Sequence, residues 1–226
     1  MKPARRLLHF FLTLGFVLAV RAAEPDLLIA DFEGTNYGDW KVTGEAFGSG
    51  PAQGTLPSQM TVSGFRGHGL VNSYFGEDRS VGRLTSPEFT IRRAYIAFLI
   101  GGGGWEKQTC MNLLVEGKIV RTATGPNTNP GGSEELAPAS WDVREWAGQS
   151  AQIEIVDEAT GVWGHVNVDE IVQTDRKPPG LIREVTRSLT VQERYLNLPV
   201  KNGAPKRRMS LLVDGRAVRE FDIELA

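Results

Sequence analysis

The sequence has 226 residues, of which 41% are hydrophobic and 23% are charged, and its formal net charge is −2. This composition excludes wholesale disorder and a polytopic membrane protein, and the length allows one large domain or one domain with part of another. The 26 glycines and 12 prolines indicate many turns, and therefore many short strands.

The first 22 residues have the pattern of a secretory leader. Lys2, Arg5 and Arg6 precede an apolar run over 7–20, and Val20 and Ala22 place small or aliphatic residues at the positions that a signal peptidase reads. We expect cleavage after Ala22, which gives a secreted or periplasmic chain with no membrane span; an uncleaved anchor is the alternative. Cleavage removes four basic residues and changes the formal net charge from −2 to −6.

Strand patterns follow one another along the next part of the chain. The continuous apolar run 94–100 ends at four glycines and predicts a central strand. The runs 111–115 and 118–121 flank Glu116-Gly117, a pair that favours the two-residue turn of a hairpin. Residues 151–156 and 165–172 alternate apolar with polar side chains, so each segment should bury one face of a strand.

Weaker strand signals lie near residues 28–32, 69–75, 82–85 and 89–91. The segment from Trp141 to Trp146 could form one helical turn, and no long helical period is present in the sequence. Eight or more short strands of this kind predict an all-β fold. We expect an antiparallel jelly-roll β-sandwich of the galactose-binding-like type.

Charge divides the mature chain near residue 175. Residues 23–175 carry a formal charge of −11 and residues 176–226 carry +5. We therefore predict a sandwich domain over 23–175, a Pro- and Gly-containing linker over 176–182, and a second β-rich domain that begins at 183. The acidic charge of the first domain makes nucleic acid a poor partner.

A weak internal repeat supports this division. The segment 113–121 recurs with similar chemistry as 211–219, and each copy centres on an acidic residue followed by glycine. Only a few residues follow the second copy, and a hairpin with so few partners cannot bury its faces. The second domain therefore reads as the truncated beginning of another sandwich.

Cys110 is the only cysteine in the sequence, so no internal disulfide can form. It could be a nucleophile, but it lies in a strand-like run where a buried cysteine behaves as a small hydrophobic residue. We favour the second interpretation.

Two tryptophans in glycine-rich loops are candidates for carbohydrate binding. Trp105 follows Gly101 to Gly104, and Trp163 lies just before a predicted strand. Exposed indoles stack on the apolar face of sugar rings, and His165, Asn72 and Arg121 could contact sugar hydroxyls. The alternative is that the tryptophans pack the sandwich and that His165 is structural.

Calcium is the one metal ion for which the sequence offers ligands, and no cofactor is otherwise required. Asp31 and Glu33 are two residues apart on a strand-like segment and share a face, and Asp169 could complete an oxygen shell. The alternative is three solvated carboxylates. His68 and His165 are too few and too far apart in the sequence to indicate zinc.

Several motifs resemble one family of secreted enzymes. They lie at 31–34, 38–48, 84–89, 141–143 and 155–169, with a further match at 194–204. These segments resemble the accessory sandwich ahead of the catalytic domain, and the segment after it, in bacterial glycoside hydrolases of family 32, the levanases and related fructan β-fructosidases. The resemblance implies fructan or another polysaccharide as ligand, and a catalytic domain of the same polypeptide as partner.

The family's catalytic motifs are absent from this sequence. The family carries carboxylates in Asn-Asp-Pro, Arg-Asp-Pro and Glu-Cys, whereas here Asn129 precedes Pro130 directly and Cys110 follows Thr109. Glycoside hydrolysis generally needs two carboxylates across the scissile bond, so we expect no catalytic residue in this stretch. A purely structural or protein-interaction sandwich and a free-standing exported lectin-like protein are the alternative functions.

Overall fold

The computed structural model describes residues 24–176, 178, 188–190, 192, 194–200 and 206–224. The predicted leader, most of the predicted linker and part of the predicted second domain lie outside these residues. Residues 24–176 form two antiparallel sheets packed face to face, so the predicted all-β sandwich is confirmed. Within the described ranges, no helix has the length and apolar character needed to span a membrane.

The elements have the following bounds: β1 (Leu27–Ala30), β2 (Lys41–Gly44), β3 (Val62–Ser63), β4 (Val71–Asn72), β5 (Gly82–Thr85), β6 (Phe89–Thr90), β7 (Tyr95–Gly102), β8 (Thr109–Val115), β9 (Lys118–Ala123), β10 (Glu134–Glu135), β11 (Ala137–Asp142), a 3-10 turn (Arg144–Trp146), β12 (Ser150–Asp157), β13 (Val166–Thr174), β14 (Lys206–Val213) and β15 (Arg216–Glu224).

One sheet has the strand order β1-β13-β7-β11, and β4 also pairs with β13. The other has the order β2-β5-β12-β8-β9, and β6 also pairs with β12. A short parallel pair, β3 with β10, lies outside these sheets. The sandwich thus places β13 and β12 in the middle of opposing sheets, which brings the loops at their ends together.

The long predicted strands are confirmed as β7, β8, β9, β12 and β13. The weaker signal over 69–75 is wrong in extent, because only Val71 and Asn72 pair with β13. The helical turn predicted from Trp141 is shorter than expected: Trp141 lies in β11 and pairs with Ile96 of β7, and only Arg144–Trp146 form a 3-10 turn.

Side chains alternate between the two faces of each strand, and those that point inward form the hydrophobic core. Inward residues from both sheets, including Phe98 of β7, Leu113 of β8 and Ile155 of β12, are almost fully buried in one cluster. Leu99 points to the outer face of its sheet and packs with Leu70 and other apolar residues in a smaller second cluster. Because both faces of β7 are covered, its sequence is continuously apolar rather than alternating.

The predicted hairpin repeat is present in the structure with closely matched geometry. Glu116 and Gly117 have φ of 51° and 73°, and Asp214 and Gly215 have φ of 49° and 75°. Positive φ at both central residues is the requirement of the tight turn that joins twisted antiparallel strands. Each hairpin also has a register shift in its first strand, between Leu113 and Leu114 in one copy and between Leu211 and Leu212 in the other.

The first and last strands of the sandwich are neighbours. β1 pairs antiparallel with β13, and Leu27 lies opposite Gln173. Just outside this pairing, the guanidinium of Arg176 donates to the carboxylate of Asp26. The chain therefore enters and leaves the sandwich at the same place.

Candidate functional site

Four loops meet at one end of the sandwich, which we call the loop end. They connect β4 to β5, β7 to β8, β9 to β10 and β12 to β13, and they comprise residues 73–81, 103–108, 124–133 and 158–165. Main-chain hydrogen bonds tie them together. Gly104 donates to the carbonyl of Asn127 at 2.7 Å, and Gly161 donates to that of Asp78 at 2.8 Å.

Glycine is required where these loops approach most closely. A Cβ on Gly103 would lie 2.1 Å from the carbonyl oxygen of Trp163 and 2.6 Å from Oγ1 of Thr109. A Cβ on Gly125 would lie 2.3 Å from the carbonyl oxygen of Gly102. The glycine run that ends β7 therefore allows backbone to pack directly on backbone.

Trp105 is the exposed aromatic residue that the sequence predicted at this end. Its side chain is held in place, because Nε1 donates to the carbonyl of Val162 at 3.1 Å and the main-chain N–H donates to Oγ1 of Thr109 at 3.1 Å. The residue nevertheless remains 36% exposed. A fixed indole with solvent access can stack on an apolar ligand face at a small entropic cost.

Trp163 is not exposed, so its predicted role in sugar stacking is wrong and the alternative, that it packs within the protein, fits the structure. It is 5% exposed, and its Nε1 donates to the carbonyls of Asn129 at 2.8 Å and Gly131 at 3.1 Å. Its backbone has φ of 61°, a conformation that non-glycine residues rarely adopt. The indole thus holds the β9–β10 loop in place instead of facing solvent.

His165 is buried and lies between two carboxylates. Nδ1 is 2.6 Å from Oδ1 of Asp78, and Nε2 is 3.0 Å from each oxygen of Glu134. Burial alone lowers the pKa of His165, but its hydrogen bonds to Asp78 and Glu134 and the charge of both groups raise it to about 9. The ring is therefore a doubly donating imidazolium at neutral pH.

Aromatic rings enclose this ion pair. The ring of Tyr74 meets that of His165 edge to face with centroids 4.9 Å apart, and Trp163 lies at 5.6 Å with an interplanar angle of 33°. Asn167 donates from Nδ2 to Glu134 at 2.8 Å. His165 therefore has a structural environment, with its ring nitrogens occupied, and the predicted role in sugar contact is not supported by this geometry.

Asp157 is a buried acid that the sequence analysis did not single out. It is fully buried at the end of β12, and neither carboxylate oxygen makes a hydrogen bond of normal geometry within the described residues. Burial raises its pKa to about 7, although the nearby Ser73 hydroxyl and the charge of His165 lower it. The loop end therefore contains a carboxyl group that changes its charge near neutral pH.

The remaining predicted contact residues lie apart from one another. Asn72 is buried in β4, where Nδ2 donates to Gln59 at 2.8 Å and Oδ1 accepts from the N–H of Tyr74 at 3.1 Å. Arg121 lies near the opposite end of the sandwich, with its guanidinium carbon 4.3 Å from the ring centroid of Trp146. The structure therefore does not bring Arg121 to Trp105.

Two of the carboxylates predicted to bind calcium, Glu33 and Asp169, accept main-chain hydrogen bonds from the loop over 66–69. Glu33 accepts hydrogen bonds from the N–H groups of His68 at 2.9 Å and Gly69 at 3.1 Å, and these bonds lower its pKa. Asp169 accepts from the N–H of Arg66 at 2.7 Å, and burial raises its pKa to about 6.

Asp31 accepts from the N–H of Glu33 at 3.3 Å. Across the described parts of the chain, no group of three or more His, Cys, Asp or Glu side chains has an arrangement that could hold a metal ion. Calcium binding by Asp31, Glu33 and Asp169 stays a prediction.

Cys110 lies in the middle of β8 and is fully buried. Burial raises the pKa of its thiol, so the thiolate that a nucleophile requires is disfavoured. The interpretation of Cys110 as a small hydrophobic residue fits this environment.

Comparison with known proteins gives one sequence relative and distant structural likenesses. No family model matches the chain. Over 148 residues it is 41% identical to a protein of Aspergillus rugulosus that carries the name glycosyl hydrolase ecdE; this is 64% of the chain and 20% of the relative. The chain therefore spans about a fifth of that relative's length.

Two solved structures are similar at low identity. The K3 adhesin domain of Lys-gingipain from Porphyromonas gingivalis has 17% identity and a TM-score of 0.41, over 66% of this chain and 99% of that one. A family 35 carbohydrate binding module from Clostridium thermocellum has 14% identity and a TM-score of 0.34, over 66% of this chain and 95% of that one. At these TM-scores the likenesses carry no argument about the ligand.

Proposed function

We propose that residues 24–176 form a non-catalytic carbohydrate-binding region of a secreted glycosidase of family 32 that acts on fructans. The proposal depends mainly on the exposure of Trp105. Its indole is fixed by a hydrogen bond to the carbonyl of Val162 and its main-chain N–H by one to Thr109, yet the residue remains exposed at the end of the sandwich where four loops meet. Loops held on a rigid sheet scaffold are a common place for binding residues.

The sequence relative supports the link to a glycosidase. A protein named glycosyl hydrolase shares 41% of the residues over the aligned part of this chain, which covers only 20% of that protein. The match is consistent with an accessory region in a longer enzyme. The catalytic domain, the fructan specificity, the export and any bound calcium are parts of the proposal that the sequence motifs suggest.

A bracing role for the sandwich is the second candidate. The burial of Trp163 and the buried His165 ion pairs favour it, because they make the loop end rigid without using the groups for a ligand. In this alternative, the sandwich holds the adjoining domain in position, and Trp105 is covered by that domain.

Binding to levan and inulin, measured by isothermal titration calorimetry with the full chain, tests the proposal. Trp105→Ala should weaken binding about tenfold or more, which is the scale of losing a central aromatic contact. Tyr195→Ala is the matched control, because Tyr195 is 76% exposed and lies outside the sandwich. The absence of binding heat at millimolar sugar would exclude the proposal in favour of the bracing role.

Hydrolysis is tested with the same samples. We expect no release of fructose from levan, inulin or sucrose, because the catalytic motifs of the family are absent from the sequence. Turnover that a single carboxylate substitution abolishes would contradict the non-catalytic assignment.

A further inference from the structure

A groove lies between β1 and the β5–β6 connection, away from the loop end. It has a volume of about 420 Å³, and its walls include Leu28, Trp40, Pro87 and Gln173. Pro87 follows β5 and Gln173 is near the end of β13, whereas the loop end adjoins the beginnings of these two strands. The groove is therefore a separate surface from the one that carries Trp105.

Trp40 forms a fixed aromatic wall of this groove. It is half-buried, and its ring packs edge to face on Phe32 with centroids 5.4 Å apart. Its main-chain N–H donates to the carbonyl of Tyr37 at 3.1 Å. The indole Nε1–H, in contrast, has no hydrogen-bond partner among the residues that the structure describes, and it is not enclosed. A ligand in the groove could therefore both stack on Trp40 and accept its hydrogen bond.

The charge of the groove restricts the kind of ligand. Its lining includes the carboxylates of Asp31, Asp39 and Glu88 and contains no Lys, Arg or His side chain. Asp39 is exposed and, within the described ranges, has neither an ion pair nor a hydrogen bond through its side chain. Carboxylates accept hydrogen bonds from sugar hydroxyls but repel anionic groups. A neutral sugar fits this lining, and a uronic acid or a sulfated sugar does not.

We infer that this groove is a second glycan-binding site, which takes a neutral oligosaccharide segment of about two rings. One ring stacks on the indole of Trp40, whose Nε1–H donates to an oxygen of the neighbouring ring, and the Asp39 carboxylate accepts a hydrogen bond from a sugar hydroxyl. This inference rests on the proposed function, since it adds a second sugar-binding surface to the same region. The two surfaces can be distinguished because each contains its own tryptophan.

The test is a titration of the ¹⁵N-labelled full chain, monitored through its five indole N–H signals. Trp40→Phe and Trp105→Phe assign the two relevant signals. The probes are the neutral tetrasaccharides nystose, cellotetraose and xylotetraose, with trigalacturonate as the anionic control. We expect at least one neutral probe to shift the Trp40 signal in a saturable way, and trigalacturonate to leave it unchanged.

Asp39→Ala is the decisive variant, because Asp39 is exposed and its loss should not affect folding. We expect it to weaken the titration seen at Trp40 about fivefold or more, and to leave the titration seen at Trp105 unchanged. The inference is overturned if the Trp105 signal shifts while the Trp40 signal does not, or if Asp39→Ala leaves the Trp40 titration unchanged. If neither signal responds to any neutral probe, the proposed sugar-binding function itself fails.

Discussion

Glu134 presents both carboxylate oxygens to Nε2 of His165 at 3.0 Å, although 31 residues separate the two in the chain. Both side chains are almost completely buried. A buried ion pair of this kind is costly to break, because removing one partner leaves an uncompensated charge. The pair therefore ties the first residue of β10 to the last residue of the β12–β13 loop.

The stability of the protein should fall as the pH rises from about 5.5 to 9. The folded pKa of His165, about 9, is above its ordinary value of 6.5, so its stabilising contribution is complete below 6.5 and is lost as pH rises to 9. The pKa of Asp157 is raised from 3.8 to about 7, because the folded state favours the protonated acid. Its contribution to stability is therefore also lost as pH rises, over a lower range that ends near pH 7. Urea unfolding at pH 5.5, 7.2 and 9 measures the trend.

We expect the free energy of unfolding to decrease by about 2 kcal/mol or more over this range. His165→Gln removes one titrating group and should flatten the decrease above pH 6.5. A free energy of unfolding that rises between pH 5.5 and 9 would contradict the assignment of both pKa shifts.

Asp157→Asn should stabilise the protein at pH 8 and have little effect at pH 5. At pH 8 the substitution replaces a buried, poorly partnered carboxylate with a neutral group of the same shape, which should contribute about 1–3 kcal/mol. At pH 5 the folded acid is already protonated, so little changes. Melting temperatures at the two pH values test this difference, and destabilisation at pH 8 would indicate that the ionised form has a partner.

Trp105→Ala and Trp163→Ala should differ in their effect on stability. Trp163 is buried and supports the β9–β10 loop, so its removal should cost about 3–5 kcal/mol. Trp105 is partly exposed, so its removal should cost clearly less. Equal losses in thermal unfolding would mean that Trp105 is also a packing residue, and the proposed stacking role would then be untenable.

Gly103→Ala should destabilise the loop end by more than about 2 kcal/mol, because the added Cβ would lie 2.1 Å from the carbonyl oxygen of Trp163. Backbone must move to accommodate it. Gly34→Ala is the control, since the nearest atom to its Cβ would be the carbonyl oxygen of Asn36 at 3.3 Å. Similar melting temperatures for the two variants would show that the β7–β8 loop adapts freely.

Local sequence patterns were sufficient to predict most of the sandwich. The apolar run before the glycines became β7, and the acidic-Gly pair at 116–117 became the turn between β8 and β9. These features depend on neighbours in sequence, such as side-chain alternation and positive φ. The strands β2, β3, β10 and β11 were not predicted, because three of them are short and β11 contains proline, serine and alanine, which give no strand period.

The site was harder to predict, because it depends on contacts between distant residues. Trp105 and Trp163 occupy similar glycine-rich surroundings in the sequence, yet one remains exposed and the other is covered by the loop containing Asn129 and Gly131. The acids around His165 come from three different segments, and no motif links Asp78 to Glu134. The one signal that could have pointed to this cluster was Asp157, an acid at the end of the strand predicted over 151–156.

The pairing of β1 with β13 determines how the sandwich responds to tension. Leu27 and Gln173 lie opposite each other at the end from which both chain segments leave, and the Asp26 contact with Arg176 lies just outside them. Antiparallel hydrogen bonds run perpendicular to the strands, so a force applied through both segments loads these bonds one after another. The sandwich should therefore unfold at low force, by sequential rupture that begins with the contact between Asp26 and Arg176. Shear, in which all the hydrogen bonds of the strand pair carry the load together, would need a higher force.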